Sequence, residues 1–164
     1  MKLPDVNIWI ALALSGHSFH AVARKWLDAE SLPGSIFFCR ASQQGLMRLL
    51  TTEAVLAPYG IPALTNRAAW EIGEQFLADD RIAFAPEPDG VEAMWKAWAG
   101  RDMASPKLWM DAWLAAFALQ SRFQLVTIDK GFAKFEGLNA HILGRTPGNS
   151  DEPAPGDPLR GRDF

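Results

Sequence analysis

The chain has 164 residues, 49 % of them apolar, and a net charge of −3. That length suits one domain with a full hydrophobic core. The mild negative charge excludes a protein that grips nucleic acid through a global basic field, so a phosphate-bearing substrate must be met by a local basic patch or through bound cations.

Residues 2–6 read as a strand in which Pro4, lacking a ladder donor, belongs at an end or an edge. Met1 to Asp5 opens no signal peptide, because no long apolar stretch follows a basic start. Residues 7–13 form a short helix that SGHS breaks, and FHAVARKWLDAE (19–30) places Phe19, Val22, Ala23, Trp26 and Leu27 at helical spacing. LPGS is a turn and SIFFC (35–39) a buried strand. RASQQGLMRLLT follows as a helix capped by Ser42, with Leu46, Met47, Leu49 and Leu50 on its apolar face. Residues 53–62 read as irregular, and Thr65 caps a helix over 66–78. RIAFA (81–85) is a strand, and 90–99 a Trp-rich helix. Ser105-Pro106, an N-cap followed by proline at the first helical position, starts a helix that runs to Gln120. QLVTI (124–128) is a strand, Asp129-Lys130-Gly131 a turn leading to a short helix ending at Phe135, and AHIL (140–143) a last strand.

From Gly144 the chain is rich in Pro, Gly and charge, which reads as a disordered tail over 144–164 behind a domain over 1–143. The single cysteine, Cys39, excludes an internal disulfide framework and fits a reducing compartment. No apolar run approaches the about 20 residues needed to span a membrane, so a cytoplasmic location is expected. Of the seven tryptophans, Trp26, Trp70, Trp95, Trp98 and Trp113 fall in helical segments, where core packing is their expected use.

Strands alternating with helices imply an α/β fold, with a parallel sheet covered on both faces. Such sheets bind ligands beyond the carboxyl ends of their strands. Asp5 lies at the end of the first strand and Asp129 at the end of the fourth, so both face one edge. Asp5 has two readings, a cap for the next helix or a ligand. Asp129 could close an Asx-turn. Asp111 sits inside WMDAWLAAFA, a poor place for aspartate unless its carboxylate has a use. Taken together, three clustered carboxylates repel one another, and a hard cation such as Mg²⁺ or Mn²⁺ removes that penalty. The chemistry that follows is hydrolysis of a phosphodiester by a metal-activated water.

Other chemistries fare worse. The three histidines, His17, His20 and His141, lie near no Gly-x-Ser-x-Gly elbow. His17 and His20 are spaced to touch a metal but have no acid or cysteine beside them. No phosphate loop is present, and the first strand ends in Asp5-Val6-Asn7 rather than in the Asp-x-Asp of a phosphate-accepting aspartate.

Four segments, PDVNIWIALALSGHSFHAVARKWL, FCRASQQGLMRLLT, PKLWMDAWLAAFA and LVTIDKGFAKF, resemble the successive motifs of the PIN-domain ribonucleases, most of all the VapC-type toxins of prokaryotic toxin–antitoxin pairs. The resemblance covers residues 2–143 and implies a three-layer α/β/α sandwich with a central parallel sheet. It implies Mg²⁺ or Mn²⁺ held by Asp5, Asp111 and Asp129, with Asn7 and Thr127 orienting the cluster. It further implies cleavage of RNA, a homodimer, and a cognate antitoxin that blocks the site. The glutamate common at the start of the family's third helix is absent here. Gln43 aligns with it, and the loss of one charge should weaken cation binding. Glu53 lies too far along to substitute. Arg40 and Arg48 flank this helix as phosphate contacts or as ordinary surface arginines. The rival reading is a catalytically weakened relative that binds RNA or a protein; a housekeeping nuclease acting on RNA or DNA is a third.

Overall fold

A computed structural model describes residues 1–144; the tail expected over 144–164 lies, apart from Gly144, outside the described residues. Five short strands, β1 (Lys2–Pro4), β2 (Ile36–Phe38), β3 (Ile82–Phe84), β4 (Gln124–Thr127) and β5 (Ala140–Ile142), form one sheet in the order β3-β2-β1-β4-β5. Every pairing is parallel, with Leu3 opposite Leu125 and Phe38 opposite Phe84. The chain winds outward from β1 through β2 to β3, then returns to the other side of β1 to lay down β4 and β5. The order reverses between β1 and β4, and a crevice opens there at the carboxyl ends.

Alternation along the strands builds two cores. Ile36, Phe38, Ile82 and Val126 face the layer made by α1 (Val6–Ala13), α2 (His20–Asp28), α3 (Arg40–Leu50), α4 (Glu53–Leu56) and α5 (Asn66–Leu77). Leu3, Phe37 and Leu125 face the layer made by α6 (Val91–Ala99) and α7 (Pro106–Gln120). The result is the expected three-layer α/β/α sandwich. On the first face Trp9, fully buried, stacks on Phe38 at 3.7 Å between ring centroids and donates its indole N–H to the Pro4 carbonyl at 3.1 Å. On the second, Phe37 stacks on Phe123 at 4.7 Å. The run Leu114 to Ala118 of α7 is buried throughout, and its three alanines let the helix lie close to the sheet.

Several expectations need correction. β1 stops at Pro4, because Asp5 already serves as the N-cap of α1. Pro4 sits in the central strand at its last position, and β1 pairs with β2 in register only at Lys2 and Ile36. The helix after β2 begins at Arg40, so its N-cap is Cys39. Ser42 is the third helical residue, and its hydroxyl accepts the Cys39 backbone N–H at 3.1 Å in a capping box. Residues 53–59 are helical rather than irregular: α4 and a 3-10 turn (Ala57–Tyr59) form because Val55 and Leu56 bury in the first core. Ser105 caps α7 by position alone, with no side-chain hydrogen bond. Trp26 is buried, but Trp70 is 53 % exposed with its N–H on Glu74, so it is no core residue. Among the described residues no helix is long and apolar enough to cross a membrane.

Candidate active site at the sheet edge

Asp5, Asn7, Arg48, Lys107, Met110, Asp111 and Asp129 line one cavity of about 180 Å³, with Ser42, Gly45 and Phe132 among its walls. It opens where the strand order reverses, with α3 on one side and α7 on the other. Three carboxylates from three separate elements therefore reach one space: Asp5 after β1, Asp129 after β4 and Asp111 from the second turn of α7.

The Asp5 side chain is held at both oxygens. Oδ1 accepts the Val6 backbone N–H at 2.6 Å, while Oδ2 accepts the Asn7 amide at 2.5 Å and the Thr127 hydroxyl at 3.0 Å. Asp5 thus caps α1, and it also lines the cavity. Thr127 is fully buried. Its oxygen also accepts from the Asn7 amide at 2.9 Å and from the Asp129 N–H at 3.0 Å, which uses all of its hydrogen-bonding capacity. The Asn7 side-chain oxygen, Oδ1, accepts the Ile128 N–H at 3.3 Å. This network ties the end of β4 to the start of α1.

Burial dominates the electrostatics of Asp5 and pushes its pKa from the ordinary 3.8 to about 7; the Thr127 hydrogen bond opposes, and the neighbouring Asp111 and Asp129 add to the rise. Asp111 is raised, again chiefly by burial, with Lys134 and Lys107 pulling the other way. Asp129 ends below its ordinary value, because the Gly131 N–H and Lys107 outweigh its burial. Lys107 donates to Asp129 Oδ2 at 3.0 Å, and Lys134, in the 3-10 helix after β4 (Lys130–Lys134), reaches Asp111 Oδ2 at 3.5 Å.

Gln43 is buried but is not among the residues that line the cavity. Its Oε1 accepts from Arg40 Nη1 at 2.6 Å, and the Arg40 guanidinium lies 4.5 Å from the Phe84 ring centroid, beside β3. The wall that α3 gives the cavity is Ala41, Ser42, Gly45, Arg48 and Leu49, one helical face that excludes position 43. Glu53 lies in the next helix and does not line the cavity either. His17 and His20 are engaged by backbone near the start of α2: Nδ1 of His17 accepts the Phe19 N–H at 3.1 Å, and Nδ1 of His20 lies 2.8 Å from the Ala11 carbonyl.

The donor set is all oxygen, which suits a hard cation, and Mg²⁺ in particular keeps several waters and needs one or two carboxylates. The site fits such an ion, not a protein cage: among the described residues no three His, Cys, Asp or Glu side chains stand close enough to hold a metal together. Sequence reasoning missed the basic half of the cluster. Lys107 lies four residues before Asp111 and Lys134 five after Asp129, a mirrored spacing that was there to be read. Gly45 was passed over as well. A Cβ there would stand 3.0 Å from Val6 Cγ2, so glycine lets α3 close on α1 at the cavity wall.

The chain belongs to the PIN domain family, whose model matches residues 2–138. It is 55 % identical over 146 residues to Ribonuclease VapC41 of Mycobacterium tuberculosis, covering 88 % of this chain and all of that protein. The VapC likeness read from the four motifs is thereby borne out. The fold is similar to that of Mycobacterium tuberculosis VapC20, a sarcin-ricin loop cleaving toxin, with a TM-score of 0.59 at 16 % identity over 81 % of this chain and 93 % of that one. It is also similar to VapBC2 from Rickettsia felis, solved with promoter DNA, with a TM-score of 0.58 at 11 % identity over 87 % of this chain and 98 % of that one.

Proposed function

We propose that this protein is a Mg²⁺- or Mn²⁺-dependent endoribonuclease, the toxin of a toxin–antitoxin pair. One observation carries the reading: carboxylates from three separate elements line one cavity at the carboxyl edge of the sheet. The 55 % identity to a protein named as a ribonuclease supports it. So does the fold shared with VapC20, a sarcin-ricin loop cleaving toxin.

Asp5, Asp111 and Asp129 would hold the cation, one or two of them directly and the rest through its waters, and it would polarise the scissile phosphate and make a bound water acidic. Thr127 and Asn7 keep the Asp5 carboxylate turned to the cavity and supply two of its hydrogen bonds. Arg48, on the α3 wall, offers a positive group to a substrate phosphate. Arg40 and Gln43 support the β3 side of α3, away from the cavity. By the same family resemblance the protein works as a homodimer in the cytoplasm and is silenced by a cognate antitoxin.

The test incubates the purified full chain, freed of antitoxin, with total cellular RNA and Mg²⁺ or Mn²⁺. Parallel samples contain EDTA or the Asp5→Asn protein. Discrete fragments that vanish in both controls are expected. Fragments that persist in EDTA would reject the cation, and the absence of cleavage together with absent Mn²⁺ binding in calorimetry would favour the binding-module reading.

A further inference from the structure

Lys107 and Lys134 form a crossed pair of straps. Helix α7 supplies the acid Asp111 and the base Lys107; the segment after β4 supplies the acid Asp129 and the base Lys134. Each base reaches the acid of the other segment, Lys107 to Asp129 at 3.0 Å and Lys134 to Asp111 at 3.5 Å. The remaining oxygen of Asp129, Oδ1, is taken by the Gly131 N–H at 2.7 Å. Two of the three carboxylates that line the cavity are thus neutralised by the chain itself.

We propose that Lys107 and Lys134 are built-in counter-ions that occupy Asp129 and Asp111 in the cation-free protein and must release them when a divalent cation binds, so that they set its affinity by competition. This rests on the cation reading above. Two features fit release. Both ammonium groups can turn to water, since the side chains of Lys107 and Lys134 are 62 % and 42 % exposed against 31 % and 15 % for Asp129 and Asp111. Lys134 Nζ also stands 5.0 Å from the Phe135 ring centroid, a second place for the ammonium group to rest. An ion and an ammonium group cannot both claim the same carboxylate lone pairs at full strength. A cluster with its own counter-ions also avoids the repulsion that three free carboxylates would suffer.

The experiment titrates Mn²⁺ by calorimetry into the full chain and into Lys107→Met, Lys134→Met and the double variant. Lys130→Met removes an equal charge from a lysine in neither pair, and Lys107→Arg keeps the competing charge. Each Met variant of the pair should bind Mn²⁺ about two- to fivefold tighter than the parent, the range set by the usual strength of exposed ion pairs. Lys130→Met should change affinity less, and Lys107→Arg should bind no tighter than the parent. In EDTA both strap variants should melt below the parent, and saturating Mn²⁺ should erase that deficit. Affinities no tighter than that of Lys130→Met, or a deficit that persists in Mn²⁺, would mean that the pairs survive in the loaded site, and would overturn the proposal. If neither the parent nor any variant binds Mn²⁺, the cation reading itself falls and this inference with it.

Discussion

Replacing Asp5 with asparagine should make the cation-free protein more stable at neutral pH while ending its activity. The folded protein holds the Asp5 proton up to about pH 7, whereas the unfolded chain releases it near 3.8. Between those values the native state binds more protons, so stability falls as pH rises and stays low above pH 7. The separation is about three pKa units, which at 1.36 kcal/mol per unit amounts to at most about 4 kcal/mol at pH 8. Asparagine carries no charge to desolvate, but one of its ends is a donor. It must face either the Val6 N–H or the Asn7 and Thr127 donors, which costs about 1–2 kcal/mol. The balance is a gain of about 2–3 kcal/mol at pH 8, or roughly 5–10 °C in Tm for a domain of this size. Near pH 4 the gain should be gone. Thermal melts in EDTA from pH 4 to pH 8 read this directly. Parallel Tm profiles for the two proteins, with no convergence toward acid pH, would refute the account of Asp5 as a charge buried at a cost. Added Mn²⁺ should raise the Tm of the parent and leave that of the variant nearly unmoved.

Thr127→Val keeps the shape but removes a donor to Asp5 and the acceptor for both Asn7 and the Asp129 N–H; it should cost about 2–3 kcal/mol in a urea titration and shift the cleavage pH profile upward, and an unchanged midpoint would contradict the saturated network. Gln43→Glu should leave Mn²⁺ affinity within about twofold, since the side chain at 43 is bound to Arg40 and lies outside the cavity lining. A large tightening by calorimetry would return position 43 to the ligand set, as the family alignment implies.

The alternation of strands with helices, and the acids at the ends of β1 and β4, were legible because they rest on local pattern and one topological rule. The three-layer sandwich and all five strands follow the sequence reading. Position 43 was not legible. Alignment by residue type places a glutamine where the family has a glutamate, but a helix presents only one face to a cavity, and that face is set by packing of α3 on α1 through Gly45 and Val6. The helix at 53–56 was hidden because four residues are too few to show a helical period and prolines and a glycine come just afterward; burial of Val55 and Leu56 holds it in place.

The lysines show why reading acids alone is incomplete. Three carboxylates in one cavity pose an electrostatic problem that any fold must solve before a cation arrives. Here the solution is divided. Asp5, the most buried, is held by neutral donors, Asn7, Thr127 and the Val6 N–H, which orient it without filling the cavity. Asp111 and Asp129, nearer the surface, are held by ammonium groups on long solvated stems. Neutral donors suit the position that must stay fixed, because they need not leave when a cation comes. Charged donors suit the positions that must change partner, because an ammonium group on a solvent-reaching stem can leave for water.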